Sequence, residues 1–285
     1  MARNNRSRLG KELGDTEVPQ DDPVAATTQA DGLSFATPTE FVELPSRGLC
    51  YAADHPLCGV ESVEIKYMTA KEEDILSSKT LIKQGVAIER FLKSIIIDKS
   101  IRTDSLVTGD RNAILVAARI NGYGSEYSTK VTCPSCFTSS DYEFDLSEVE
   151  IKEFNENPED ATWTDSGNLL ATTPITGVEV ETRPLTGKDE MYLARTQESK
   201  RKKKLAETTL TDLLKTIVVS VNGKEERNLI NEFIEVMPAR DSRHLRTTYE
   251  ENIPNVDMTQ EFECPNCNYR TALEVPFTTD FFWPK

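Results

Sequence analysis

The feature that most narrows what this chain can fold into is a pair of Cys-Pro-x-Cys knuckles, Cys133-Pro134-Ser135-Cys136 and Cys264-Pro265-Asn266-Cys267. In each, proline fixes one φ angle and the short loop aims two sulfurs at one point. Four thiolates suit a zinc ion in a tetrahedron, with sulfurs about 2.3 Å from the metal and no open position for a substrate water. Such an ion holds structure rather than running chemistry, and its removal costs folding energy outright. The expectation is one structural zinc per chain, held by Cys133, Cys136, Cys264 and Cys267. Free or disulfide-bonded cysteines, a rubredoxin-type iron site and a thioredoxin-like redox motif are weaker readings. Tight C-x-x-C pairs in a cytosolic chain are metal ligands first, and the flanking sequence places each knuckle between strands, not at a helix start.

Residues 137–263 separate the knuckles, far more than a zinc finger spans. An internal repeat accounts for the gap. The run VEIKYMTAKEEDIL (63–76) aligns with VETRPLTGKDEMYL (180–193), LKSIII (92–97) with LKTIVV (214–219), and Asp110 with Asp241. Cys133 and Cys136 align with Cys264 and Cys267, and the alternating Tyr142, Phe144, Leu146 with Leu273, Val275, Phe277. The order is kept, and the gaps fall where loops belong. Equivalent knuckles of two such halves meet at a pseudo-two-fold axis, where one metal ties them together.

The expected fold is α+β: a strand-helix-helix-knuckle unit duplicated, with the halves joined by the four-cysteine site. Residues 1–35 are polar with almost no apolar clustering, and read as a disordered N-terminal arm. The first repeat is set at 36–149, an acidic linker or loop at 150–177 with one irregular strand near Leu169, and the second repeat at 178–285. Within the first repeat, EFVELPSRGLCY reads as a hairpin turning at Pro45 to Gly48. A strand over Val60 to Tyr67 follows. Thr69 and Glu72 then make a capping box for a helix from Ala70. A second helix is expected over about 80–98, with Ile88, Phe91, Leu92, Ile95 and Ile96 on one face. A third follows Asp110, with Ile114, Leu115 and Ala118 inward.

Charge excludes a class of function. The net charge is −15, and residues 141–160 carry Asp141, Glu143, Asp145, Glu148, Glu150, Glu153, Glu156, Glu159 and Asp160 against Lys152 alone. Phosphate binding needs a basic surface, so nucleic acid is an unfavoured partner. The run Lys200, Arg201, Lys202, Lys203, Lys204 is the exception, read as a solvated helix segment with an acidic partner or nucleic acid as the functional reading. No apolar run is long enough to span a membrane, and the N-terminus has no apolar stretch of the secretory kind. The expected compartment is a reducing cytoplasm, at least at synthesis. The only histidines, His55 and His244, lie far apart. No nucleophile elbow, P-loop, dinucleotide fingerprint or H-E-x-x-H is present, so neither an enzyme nor a small-molecule substrate is expected. Cys50 and Cys58, spaced C-x7-C around His55, read as ordinary thiols. The aromatic ending PFTTDFFWPK reads as an anchored C-terminus.

The runs FVELPSRGLCY, TAKEEDIL, LIKQGVAIERFLKSII, GDRNAILVAARINGYGSEY and VTCPSC, with the closing FWPK, resemble the T4-type bacteriophage baseplate hub subunit family. The resemblance runs over about residues 35–285 and is densest over 41–136. It implies a non-enzymatic structural or assembly protein of a contractile phage tail baseplate, at its central hub. The implied partners are other baseplate and hub proteins, and the implied location is the virion tail baseplate after assembly in the host cytoplasm. The competing reading from the residues is a zinc-ribbon nucleic-acid-binding or transcription regulatory protein.

Overall fold

The computed structural model describes residues 37–275 and 279–282; the expected N-terminal arm, residues 1–35, lies outside them. Strand β1 (Thr39–Glu43) pairs antiparallel with β2 (Ser62–Lys66), Thr39 opposite Lys66. Alternation turns Val42, Val63 and Ile65 into the core. The chain turns at Pro45 to Gly48 as expected, but the strand does not resume there: residues 44–60 fold as successive turns, and β1 pairs with β2. The reason lies at Gly48, whose φ is +72° and where a Cβ would stand 2.4 Å from the Leu57 carbonyl oxygen. The backbone folds tightly onto itself there, and Gly59 N–H donates to the Gly48 carbonyl.

Helices α1 (Ala70–Ser77), α2 (Lys79–Gln84) and α3 (Ala87–Ile95) follow. The single helix expected over 80–98 is thus two. Gly85 adopts φ +68° and caps α2, its N–H donating to Ile82, the usual left-handed stop. Helix α3 then buries Phe91, Leu92 and Ile95 on the predicted face. Helix α4 (Thr108–Tyr123) buries Ile114, Leu115 and Ala118, together with Asp110 and Arg119. Strands β3 (Glu126–Thr132) and β4 (Ser139–Asp145) form a hairpin whose turn is the first knuckle.

The stretch 150–177, read as a loop with one strand, holds three: β5 (Glu150–Lys152), β6 (Ala161–Trp163) and β7 (Leu169–Thr172). The strand expected near Leu169 is β7; β5 and β6, three residues each, are too short for their alternation to show above the surrounding acids, Thr and Gly. Strands β6, β7, β8 (Glu179–Thr182) and β9 (Val218–Val221) make an antiparallel sheet in that order. Helices α5 (Gly187–Lys202), α6 (Thr209–Ile217), α7 (Arg227–Val236) and α8 (Ala239–Asn252) complete this part. Strand β10 (Asn255–Asp257) pairs with β5. Strands β11 (Thr259–Glu263) and β12 (Arg270–Glu274) make the second knuckle hairpin.

This mixture of helices and small sheets is an α+β fold. The core divides in two. One part joins buried residues of 42–146 to Val256, Met258, Phe262, Cys264, Val275, Phe281 and Phe282. The other lies wholly within residues 161–249. Both knuckle hairpins therefore belong to the first core, and the second sits on β6–β9 and α6–α8. The aromatic ending is anchored as expected at Phe281 and Phe282, and the Phe281 carbonyl accepts from buried Arg119 at 2.7 Å.

Matching local devices occur in the two parts. Glu72 accepts from Thr69 N–H and from Lys66 Nζ (2.8 Å) at the start of α1. Asp189 accepts from Thr186 N–H and from Arg183 (2.7 Å) at the start of α5. Asp110 receives Ser46 N–H (2.9 Å), Ser46 Oγ (2.6 Å) and Tyr51 Oη (2.7 Å). Asp241 receives Ile175 N–H (2.8 Å), Thr176 N–H (3.1 Å) and Thr176 Oγ1 (2.8 Å). Each aspartate is buried in the first turn of a helix and pins a Pro-x-x-Gly turn, Pro45–Gly48 or Pro174–Gly177.

Candidate metal centre

Each knuckle is built by the same backbone scheme. Cys133 N–H donates to the Thr138 carbonyl and Phe137 N–H to the Cys133 carbonyl; Cys264 N–H donates to Tyr269 and Asn268 N–H to Cys264. These bonds, all 2.9–3.0 Å, force a left-handed residue into each loop, Phe137 at φ +57° and Asn268 at φ +55°. Asn tolerates that conformation; a bulky residue there costs about 1–3 kcal/mol.

The hairpins lie side by side. Gln260 Nε2 donates to the Asp145 carbonyl, Tyr142 Oη to the Glu261 carbonyl, and the Tyr142 ring packs edge-on against Phe262 at 4.9 Å. The turns are thereby brought together, and all four sulfurs lie within 4.8 Å of one another. Cys133 Sγ stands 3.8 Å from Cys267 Sγ, and Cys136 Sγ 3.7 Å from Cys264 Sγ. Sulfurs about 2.3 Å from a tetrahedral ion stand about 3.8 Å apart, so the donor set fits such an ion. These separations are far beyond the about 2.0 Å of a disulfide. Among the described residues no other His, Cys, Asp and Glu cluster of this kind occurs.

The surroundings favour thiolate at Cys136. Ser135 N–H points at Cys133 Sγ (3.4 Å) and Asn266 Nδ2 at Cys136 Sγ (3.7 Å). Hydrogen bonds from the Thr138 side chain and backbone, and from Asn266, bring Cys136 down to about 5. A backbone bond at Tyr269 lowers Cys267, but burial and hydrogen bonds to the three neighbouring thiols outweigh it and push Cys267 up to about 12. Within the crowded set Cys136 ionises readily while Cys267 resists. A cation bound by all four removes that conflict. Cys133 and Cys264 are buried beneath the hairpins, and Cys267 is exposed at the tip.

The remaining residues singled out in the sequence stand apart from this centre. Leu57 N–H donates to His55 Nδ1, so Nε2 carries the proton and donates to Ser105 Oγ at 2.8 Å, with the ring stacked on Tyr51 at 4.4 Å. Burial lowers the pKa of His55. Burial, with Asp110 nearby, pushes the Cys50 thiol up to about 12, away from reactive thiolate. In the basic run, Lys200 pairs with Asp212 and Lys202 with Glu198. A cleft of about 510 Å³ is lined mainly by apolar residues such as Leu76, Ile88, Leu115, Met258 and Phe282, with the Arg111–Glu190 ion pair at its wall. The sequence reading missed Thr138 and Asn266 beside the sulfurs. Their signal was position alone, each two residues beyond a clustered cysteine, Cys136 or Cys264.

A hairpin pair that gathers four cysteines within the first core of an α+β body is a candidate metal centre of structural kind. The family model described as T4 bacteriophage base plate protein matches residues 39–283, and the chain belongs to that family. It is a structural protein of the phage base plate. No curated protein and no solved structure matches it. No helix among the described residues is long and apolar enough to cross a membrane.

Proposed function

We propose that this chain is a non-enzymatic component of the central hub of a contractile tail base plate, built on a duplicated unit and locked by one structural zinc ion. The family match over residues 39–283 carries the base plate assignment. The hub position rests on the resemblance of the runs within 41–136 to hub subunits. Zinc is the ion that an all-thiolate, closed, four-donor set selects. Cys133 and Cys136 come from the first half of the chain and Cys264 and Cys267 from its end, so the ion cross-links distant segments. The duplication is supported by the paired capping boxes and by the two buried aspartates on Pro-x-x-Gly turns. The second turn carries the repeated unit back before residue 178. Its partners are the neighbouring proteins of the tail, met during assembly in the host cytoplasm.

Quantitative mass spectrometry of purified mature particles, beside infected-cell lysate, tests the hub reading. A fixed small copy number per particle is expected. Absence from particles with tail proteins co-purifying from lysate would make the chain an assembly factor. Absence of any tail partner would overturn the hub reading and return the zinc-ribbon regulator.

A further inference from the structure

Two surfaces of this molecule are left unsatisfied by its own fold, and they complement each other. The first is the outer face of the first knuckle hairpin. At its tip Phe137 is 79 % exposed in a left-handed conformation. Asn268 holds the matching place in the second knuckle with a residue that tolerates it. A bulky ring held in that conformation and turned to water gains nothing for the isolated chain, and such strain gathers at functional positions. Along β4, Asp141, Glu143 and Asp145 share the exposed face, about 7 Å apart. None of the three makes an ion pair among the described residues; across the hairpin they oppose Lys130, Ser128 and Glu126.

The second surface is the outer side of α5. Of its residues only Gly187, at its start, is buried. Near its end an open depression of about 370 Å³ lies between Tyr192 and Leu205, both exposed, and is rimmed by Arg195, Lys200 and Lys203. Arg195, Arg201, Lys203 and Lys204 make no ion pair among the described residues. This basic corner stands in a chain of net charge −15.

We propose that the knuckle face of one copy docks on the α5 corner of a second copy, with Phe137 seated between Tyr192 and Leu205 and the Asp141–Glu143 row meeting Arg195 and Lys203. Charge complementarity between two surfaces of the same chain selects this occupant. The contact joins different patches, so it repeats head to tail and closes into a ring or extends. The overall repulsion between two acidic chains is screened beyond about 8 Å at physiological salt, while the facing pairs lie inside that length. The inference goes beyond the hub reading and does not depend on it.

Sedimentation of the full chain, loaded with zinc, at about 0.15 M and about 1 M salt tests it. Concentration-dependent association at the lower salt and its loss at the higher are expected. Phe137→Asn should weaken association at least about tenfold, the loss of a buried anchor residue, while holding or raising the melting temperature, because Asn suits that backbone. The double variants Asp141→Lys/Glu143→Lys and Arg195→Glu/Lys203→Glu should each be monomeric with unchanged circular dichroism, and an equal mixture should associate again with the two variants in equal amounts. A wild-type chain that stays monomeric at both salts, or reversed variants that fail to rescue each other, would overturn the proposal. So would a monomeric chain that binds a DNA oligonucleotide through Arg195 and Lys203, which would make the corner a nucleic-acid site.

Discussion

Arg119 is the largest side chain in the core to carry a formal charge, and it is 1 % exposed. It faces no carboxylate. Its guanidinium donates to the carbonyls of Phe281, Gly124 and Glu126 at 2.6–2.9 Å and lies over the rings of Tyr123 and Tyr127. Three carbonyls and two rings replace water around one cation, and they tie the chain's last described turn to α4. Arg119→Met keeps the bulk and strands those carbonyls, so it should cost about 2–4 kcal/mol in urea unfolding and expose the C-terminus to a carboxypeptidase. Glu72 is a second such residue. Burial opposes its charge, but hydrogen bonds from Lys66, Ser94 and Thr69 outweigh that and bring its carboxyl down from 4.5 to about 2. A carboxyl with a depressed folded pKa contributes stability that is present above about 4.5 and lost as pH falls towards 2. Glu72→Gln should therefore destabilise at pH 7 and flatten the acid limb of stability against pH, as read by thermal melts from pH 7 to pH 2.5.

At the scale of elements, close backbone contact decides what the sequence pattern leaves open. Gly109 opens α4 directly beneath β10; a Cβ there would stand 2.2 Å from the Pro254 carbonyl oxygen. Gly109→Ala should force α4 and β10 apart and cost about 2–3 kcal/mol, with faster amide exchange in β5 and β10 as the local signature. Much of this level was legible beforehand. The capping boxes, the buried faces of α3 and α4, and the strands flanking the knuckles follow from spacing that repeats at 3.6 or 2. Of the strands in 150–177 only the one near Leu169 was legible; β5 and β6 were not, because three residues carry too little periodicity and β5 finds its partner far along the chain. The break at Gly85 was written in one residue, and the apolar pattern on either side hid it.

For the whole molecule, the cysteines are the seam. They come from two hairpins in one core, and the zinc reading makes that core depend on a bond between residues 133–136 and 264–267. Cys264→Ser should then lower the stability of the whole unit, by more than about 4 kcal/mol, in a single transition shifted for probes in both cores. A loosening confined to residues near the C-terminus would show that the two knuckles do not share an ion. Elemental analysis of the purified chain should give about one zinc per chain, lost to a strong chelator together with the cooperative melt.

What the sequence determined by itself was local and chemical. The four cysteines of the candidate site, the knuckle loops, the capping boxes and the surplus of acid all follow from residue type and spacing, which act over a few residues. Tertiary structure alone decided other distant contacts: that β5 pairs with β10 across the chain, that buried aspartates hold the turns at Pro45 and Pro174, and that Arg119 finds carbonyls rather than a carboxylate. Those contacts depend on which surfaces can be buried together at close packing, and no periodicity within a short window records that.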